Sequence, residues 1–456
     1  MAAGAISKAN ADDPKKSSLV RCARTDKGVH AAGNIISLKL VVEDEGEDIV
    51  TKINEHLPPQ IRVWGIQQTN GGFSSYQACD SRIYEYLIPT HCFLPPHPQS
   101  FLGQQVIALA DEENDLEGYE RRQSEVANFW SETEERHIKP VVETIDPSIR
   151  DEVLARFKNL GYLSNDPFTS GTHAKVESDK TQPKGDASAD LPGASANDGA
   201  TDSSKAKPIN PAVEEGVRAL KSVQIAAKRA WRLPQARLDR IRSILSRFVG
   251  SIKYHNYTVD KQWRDPSAIR VIKSFTVDEK PILIGGTEWL SLKVHGQSFM
   301  MHQIRKMVCA AALIVRCGCH EGRLQDTFLR DRLSIPKAPS LGLLLERPVF
   351  DKYNERLVEL SREPIDFAKH EQLIAEFKQR EIYEKMFQLE EKEAVFPSFF
   401  SGLDCTRSAS LLWVTSAGLR GTQKDVPEAH NEESSNVPTN VKDVEEEDEL
   451  EGQDEN

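Results

Sequence analysis

A break in composition does most to limit how this chain can fold. From about Ser164 to Pro211 the residues are mostly Ser, Asp, Lys, Gly, Ala and Pro, with hardly any large apolar side chain. Such a stretch buries too little surface to offset the entropy of ordering it, so it reads as a disordered insertion. Any core must therefore come from the blocks on either side. At 456 residues, with about 150 per domain as a soft guide, the chain has room for two compact units plus tails. A hydrophobic content of 39% fits real cores diluted by disordered segments.

Before the break, residues 20 to 90 read as strands with short connections. Ile36, Leu38 and Leu40 alternate with other residues, and Ile61 to Ile66 follows the helix-breaking pair Pro58-Pro59. Ser81 to Ile88 alternates again, with Tyr84, Tyr86 and Ile88 on one face and Ile83 and Leu87 on the other. A short helix is expected between Ile49 and Leu57. Residues 112 to 162 are charged and helix-favouring, with Phe129, Trp130, Phe157 and Leu160 as candidate core contacts.

Beyond the break a helix pattern resumes at Val213. Leu238, Ile241 and Leu245 form one stripe with arginines opposite, and strands are expected at Ile269 to Val277 and Trp289 to His295. A helix from about Met301 to Val315 puts Ile304, Met307, Val308, Ala311 and Val315 at core spacing. Leu341 to Leu345 is a buried-strand candidate, and residues 371 to 390 a polar amphipathic helix. Mixed strands and helices in two blocks predict an α+β fold. The expected divisions are 1–110, an N-terminal half; 111–163, a helical connection; 164–212, the disordered insertion; 213–360, a C-terminal half; 361–420, a helical segment; and 421–456, a disordered acidic tail.

The net charge of −12 hides an uneven spread. From Asp425 onward there are 13 acidic residues against Lys442 alone, so the rest is close to neutral. Between Arg218 and Phe275, 14 Lys or Arg face three Asp, which suggests either a polyanion partner or a solvated helix face. The seven cysteines form no regular framework, as in reducing compartments. Cys317-Gly318-Cys319-His320 lacks a second ligand pair, so these read as structural thiols and no metal is expected. No apolar run reaches the ~18 residues of a membrane span, so no membrane partner is expected.

Arg24-Thr25-Asp26-Lys27-Gly28-Val29-His30 sets a carboxylate between cations, and Gly28 permits a tight turn with positive φ. Alone, this reads as an Asx-type turn before a strand. Alone, Arg82-Ile83-Tyr84-Glu85-Tyr86 reads as core, and Arg305 within Phe299 to Val308 as a surface residue of an amphipathic helix.

Together, these segments with Cys79 to Tyr86, His255-Asn256-Tyr257-Thr258 and Ala338 to Leu345 resemble the TruA-type tRNA pseudouridine synthase family, its eukaryotic branch most closely, across about residues 3 to 350. The resemblance implies a pseudouridine synthase fold: two α/β halves sharing a mainly antiparallel central sheet with a basic cleft between them. It implies Asp26 as the catalytic residue, Tyr84 stacking on the target base with a part in proton transfer, and Arg305 pairing with the carboxylate. Arg24 would help to open the RNA, and Arg82 and His302 would contact substrate. The implied partner is tRNA, with snRNA or mRNA as further candidates. A monomer without cofactor or bound nucleotide is expected, in the nucleus or alternatively the cytoplasm or mitochondrion.

Family members begin with a strand and helix before the Arg-Thr-Asp loop. Met1 to Ile6 resembles the end of that helix, so a strand and most of a helix are expected to be missing. The alternative function is then a catalytically impaired RNA-binding relative. A carboxylate-dependent nucleosidase would need a second carboxylate or a metal near Asp26, and Glu85 points to the opposite strand face from Tyr84.

Overall fold

The computed structural model describes residues 2–10, 13–41, 49–161 and 210–424. Most of the insertion and of the acidic tail lies outside the described residues. Their inner ends do not: Asn210 caps a helix Pro211–Ala230 by accepting from the Ala212 amide, and Gly418–Gln423 forms a tight helical turn. Pro at the first helical position explains why the helix starts before Val213.

Among the described residues nine strands are formed: β1 Val20–Arg21, β2 His30–Ala31, β3 Ile36–Ser37, β4 Ser81–Pro89, β5 Gly250–Lys253, β6 Ile269–Val277, β7 Ile282–Ile284, β8 Thr287–Gly296 and β9 Leu343–Val349. β1 pairs with β3, and the other seven build one sheet in the order β2-β9-β4-β8-β6-β5, with β7 also on β8. Only β2 runs parallel to its neighbour, β9. The fold is α+β around a mostly antiparallel sheet, as the strand patterns predict.

β4 and β9 bring the blocks together. Tyr84 lies opposite Val294 of β8 and Leu345 of β9, so a strand from before the insertion sits between two from after it. Every residue from Tyr84 to Pro89 is buried. Glu85 is satisfied on the face away from Tyr84. It accepts from Ser291 Oγ at 2.5 Å, Lys378 Nζ at 3.1 Å and Tyr383 Oη at 2.5 Å. The helix Gln303–Arg316 is buried along its length except at Arg305 and Lys306. It packs on the helix Gln235–Ser246, which buries Leu238, Ile241 and Leu245. A smaller cluster of Ile145, Val153 and Phe157 with Val213, Val217 and Leu220 joins the helices flanking the insertion.

Three expectations need correction. Ile61 to Ile66 is no strand: Asn54 holds Val63 through both its amide nitrogen and oxygen, and the Trp64 indole donates to Ala32 O, making an irregular strap. Residues 2–6 form turns and bends rather than a helix end, with Gly4 at φ +74°. The arginines near Leu238 are not all opposite the core. Arg237 is fully buried and donates to Phe93 O, Gln123 and Glu125, while Arg240 donates to Ile314 O and Cys319 O. Part of the 218–275 charge thus ties the interior together. Cys317 and Cys319 are buried in the main core, as structural thiols should be.

Segment 361–420 adds Phe396, Phe400 and Trp413 to the main core and a buried ion pair. Arg316 Nη2 donates to both Asp404 oxygens at 2.7 and 2.6 Å, with side-chain exposures of 4% and 8%. Removing one member of such a pair strands the other charge in a low-dielectric site. Asp404→Ala is expected to lower unfolding stability by about 3–5 kcal/mol, read from the urea midpoint at unchanged m-value. A shift below ~1 kcal/mol, as for an exposed pair, would show that water reaches the guanidinium.

Candidate active site around Asp26

Asp26 occupies a turn closed by the Val29 amide donating to Asp26 O at 3.0 Å, with Gly28 at φ +79° in its third position. That geometry requires φ > 0 there and explains the glycine. A Cβ at Gly28 would also lie 3.2 Å from Ser340 Oγ. The turn is anchored on both flanks. Cys22 N donates to Ile35 O before it, and after it β2 adds to β9 with Ala32 N donating to Leu345 O. Since Leu345 is also the partner of Tyr84, the same strand positions the turn and the tyrosine.

The start of the helix Gln303–Arg316 supplies a hydrogen-bond partner for the carboxylate. His302, its N-cap, holds left-handed backbone at φ 60°, and its Nδ1 lies 3.2 Å from Asp26 Oδ2. The imidazole is 2% exposed and the carboxylate 34% exposed, so the pair has one buried and one open side. The His302 hydrogen bond is the largest influence holding the Asp26 pKa below the usual carboxylate value. Burial opposes it, and the charges of His302, Arg305 and Lys337 add to the lowering. The ionised carboxylate has no proton to give, so Nδ1–H must be the donor.

Arg305 acts on Asp26 through space, while its Nε donates to Ala338 O at 2.7 Å. That bond ties the helix to the segment leading into β9. Lys306 Nζ does the same toward Thr258 O at 3.1 Å. Neighbouring Asn256 donates to Thr327 O and Asp331 O, which fixes the His255 to Thr258 segment that receives Lys306.

Tyr84 is 8% exposed, and its ring meets Phe299 edge-on at 5.3 Å between centroids. Burial pushes its phenol up to about 12, with Asp26 a further raising influence, so the hydroxyl stays protonated at neutral pH. Arg82, two residues earlier on the same strand face, donates to Cys22 O at 2.9 Å, at the root of the Asp26 loop. Arg24 is exposed on that loop. The structure thus gathers Asp26, His302, Tyr84, Arg305 and Arg82 from three distant stretches. Sequence reasoning missed Phe299 as a site residue and Lys337 altogether. Phe299 carried a signal, opening the Met300-Met301-His302 segment. Lys337, in an irregular stretch between two prolines, carried none.

The segment 244–351 matches the family model described as tRNA pseudouridine synthase. The tRNA pseudouridine synthase 1 of Schizosaccharomyces pombe is 40% identical over 464 aligned residues, covering 99% of this chain and 84% of that protein. The Saccharomyces cerevisiae protein of the same name is 39% identical over 88% of this chain and 64% of its own length. The tRNA pseudouridine(27/28) synthase of S. cerevisiae is 33% identical over 78% of this chain and 76% of its own. This chain belongs to the tRNA pseudouridine synthase family. The alternative of an impaired RNA-binding relative finds no support among these matches.

The lowered Asp26 pKa has a direct test. A carboxylate depressed on folding adds stability above its unfolded pKa, ~3.9, and loses it as pH falls through the folded value. Carbon-detected NMR of labelled aspartate should find Asp26 titrating below ~3.9. His302→Ala should move it upward; no movement would remove His302 as the main cause.

Proposed function

We propose that this protein isomerises uridines in tRNA to pseudouridine, with Asp26 as the reacting group. The reaction breaks the bond between C1′ of the ribose and N1 of the base, turns the base, and joins C1′ to C5. N1 gains a proton and C5 loses one, so every atom is conserved and no energy source or redox partner is required. The observation that carries the reading is one carboxylate, held ionised by His302 and partly open to solvent, beside the buried ring of Tyr84.

An ionised carboxylate serves as nucleophile or as base at the sugar. Fixed donors around it require no reorganisation when charge shifts in the transition state. A uridine must leave its stack to reach such a residue, and an aromatic wall offsets part of that cost. Tyr84 supplies the wall, and its protonated hydroxyl can give a proton but not take one. Arg305 strengthens the carboxylate's ionisation from a distance. Arg24, Arg82 and His302 are read as substrate contacts, with His302 also orienting Asp26.

In this reading phosphates run along a basic cleft between the two halves, by shape and backbone contact. In the same reading the protein acts as a monomer without a nucleotide cofactor. Activity on snRNA or mRNA and residence in the nucleus belong to the same reading and rest on the eukaryotic-branch motifs alone.

Asp26→Asn keeps volume and much of the hydrogen bonding but removes the nucleophile. Pseudouridine formation on tRNA, measured by nucleoside mass spectrometry, should be abolished while RNA affinity stays within about tenfold, ~1.4 kcal/mol. Arg305→Ala should be milder, because His302 still holds the carboxylate. Tyr84→Phe keeps the wall and removes the proton donor, which separates the two roles. Robust turnover by Asp26→Asn would refute the assignment.

A further inference from the structure

Tyr76 is a large aromatic residue 63% exposed, on a turn whose backbone is fixed. Next to it, Ser75 Oγ donates to Val20 O at 2.8 Å and the Ser75 amide donates to Ser37 Oγ at 3.1 Å. The Ala78 amide closes the turn onto Ser74 O at 2.9 Å. Phe73, three residues earlier, turns inward against Tyr353 and Phe350. The turn is thus pinned on its inner side and presents one ring outward.

A single exposed ring needs no explanation in itself. What distinguishes Tyr76 is the group across its face. The Arg82 guanidinium carbon lies 6.0 Å from the ring centroid. Arg82 is itself held, donating to Cys22 O at 2.9 Å and to Gln297 O at 3.4 Å. Along β4 it shares a face with Tyr84, about 7 Å away by strand geometry. Arg82 thus links the exposed ring of Tyr76 to the strand face that carries Tyr84 and, through Cys22 O, to the root of the Asp26 loop.

We propose that Tyr76 and Arg82 form a second stacking site, which takes an unpaired nucleobase of the RNA adjacent to the uridine held at Asp26 and Tyr84. The inference rests on the isomerase reading above. A base beside a flipped nucleotide has lost one stacking neighbour, and a fixed ring with a guanidinium alongside replaces it without reading sequence. Arg82 also offers charge to the linking phosphate. The site would favour targets whose neighbouring base is free of a helix, and so select for local RNA structure rather than for one base.

The test is equilibrium binding, by fluorescence anisotropy, of a labelled oligoribonucleotide carrying a target uridine in an unpaired stretch. Wild type, Tyr76→Ala and Tyr76→Phe are compared, on this RNA and on versions abasic at each neighbour of the uridine. Tyr76→Ala should weaken binding about tenfold, the scale of one lost base–aromatic stack, and Tyr76→Phe less than about threefold. One abasic neighbour should weaken wild type by a similar factor and leave Tyr76→Ala with no further loss. Equal affinity of Tyr76→Ala and wild type would overturn the proposal, as would an abasic penalty undiminished in that variant. Pseudouridine in the same RNA is measured in parallel. Wild type that binds without converting uridine counts against the isomerase reading, whereas Tyr76→Ala that binds as wild type counts against Tyr76 alone.

Discussion

One hydrogen bond, from His302 to Asp26, joins residues 276 positions apart and fixes what the rest of the structure must hold still. Its two ends sit on different supports, a Gly28 turn next to β2 and the N-cap of a buried helix. A carboxylate on a loop would ordinarily be mobile and well hydrated. Here its loop is stitched to β9 by Ala32 and, by Cys22, to Ile35 just before β3, while the imidazole side is closed to water. The surroundings serve a single charge that stays ionised without being sealed off.

The left-handed backbone of His302 is part of the same arrangement. Non-glycine residues at φ near 60° cost energy and persist where neighbours over-determine them. Met300 N donating to Gln303 Oε1 and Lys306 N donating to His302 O grip the residue from both sides. Arg305 and Lys306 then carry the helix start outward to Ala338 and Thr258. A shift of this N-cap would be felt at β9, and through Leu345 at Tyr84. Rigidity of the sheet and accuracy of the site are one property.

Alternation of apolar residues made β4, β6, β8 and the helix ending at Arg316 legible, because long periodic segments report their buried faces directly. The two-residue strands β1 and β2 were not, and of the Ile36 to Leu40 alternation only Ile36–Ser37 pairs, since pairing that short is set by the partner strand rather than by local pattern. Ile61 to Ile66 misled for the same reason: its apolar residues are partly exposed, and Asn54 and Trp64 decide its path. Asp26 and Tyr84 were found through motifs. That His302 hydrogen-bonds the carboxylate needed the αL cap, which no spacing encodes. Buried Arg237 and Arg316 were invisible too, because charge in a sequence does not say whether carbonyls await it inside.

The central claim is that chemistry depends on Asp26 ionised, at a pKa below that of an ordinary carboxylate. The most direct measurement is the pH dependence of the single-turnover rate of pseudouridine formation with RNA saturating. The account predicts a rate level from neutral pH downward that falls only with an apparent pKa below ~3.9, within the range where the fold survives. An acid limb with an apparent pKa clearly above ~3.9 would contradict it, because the essential ionisation would then not be a depressed carboxylate.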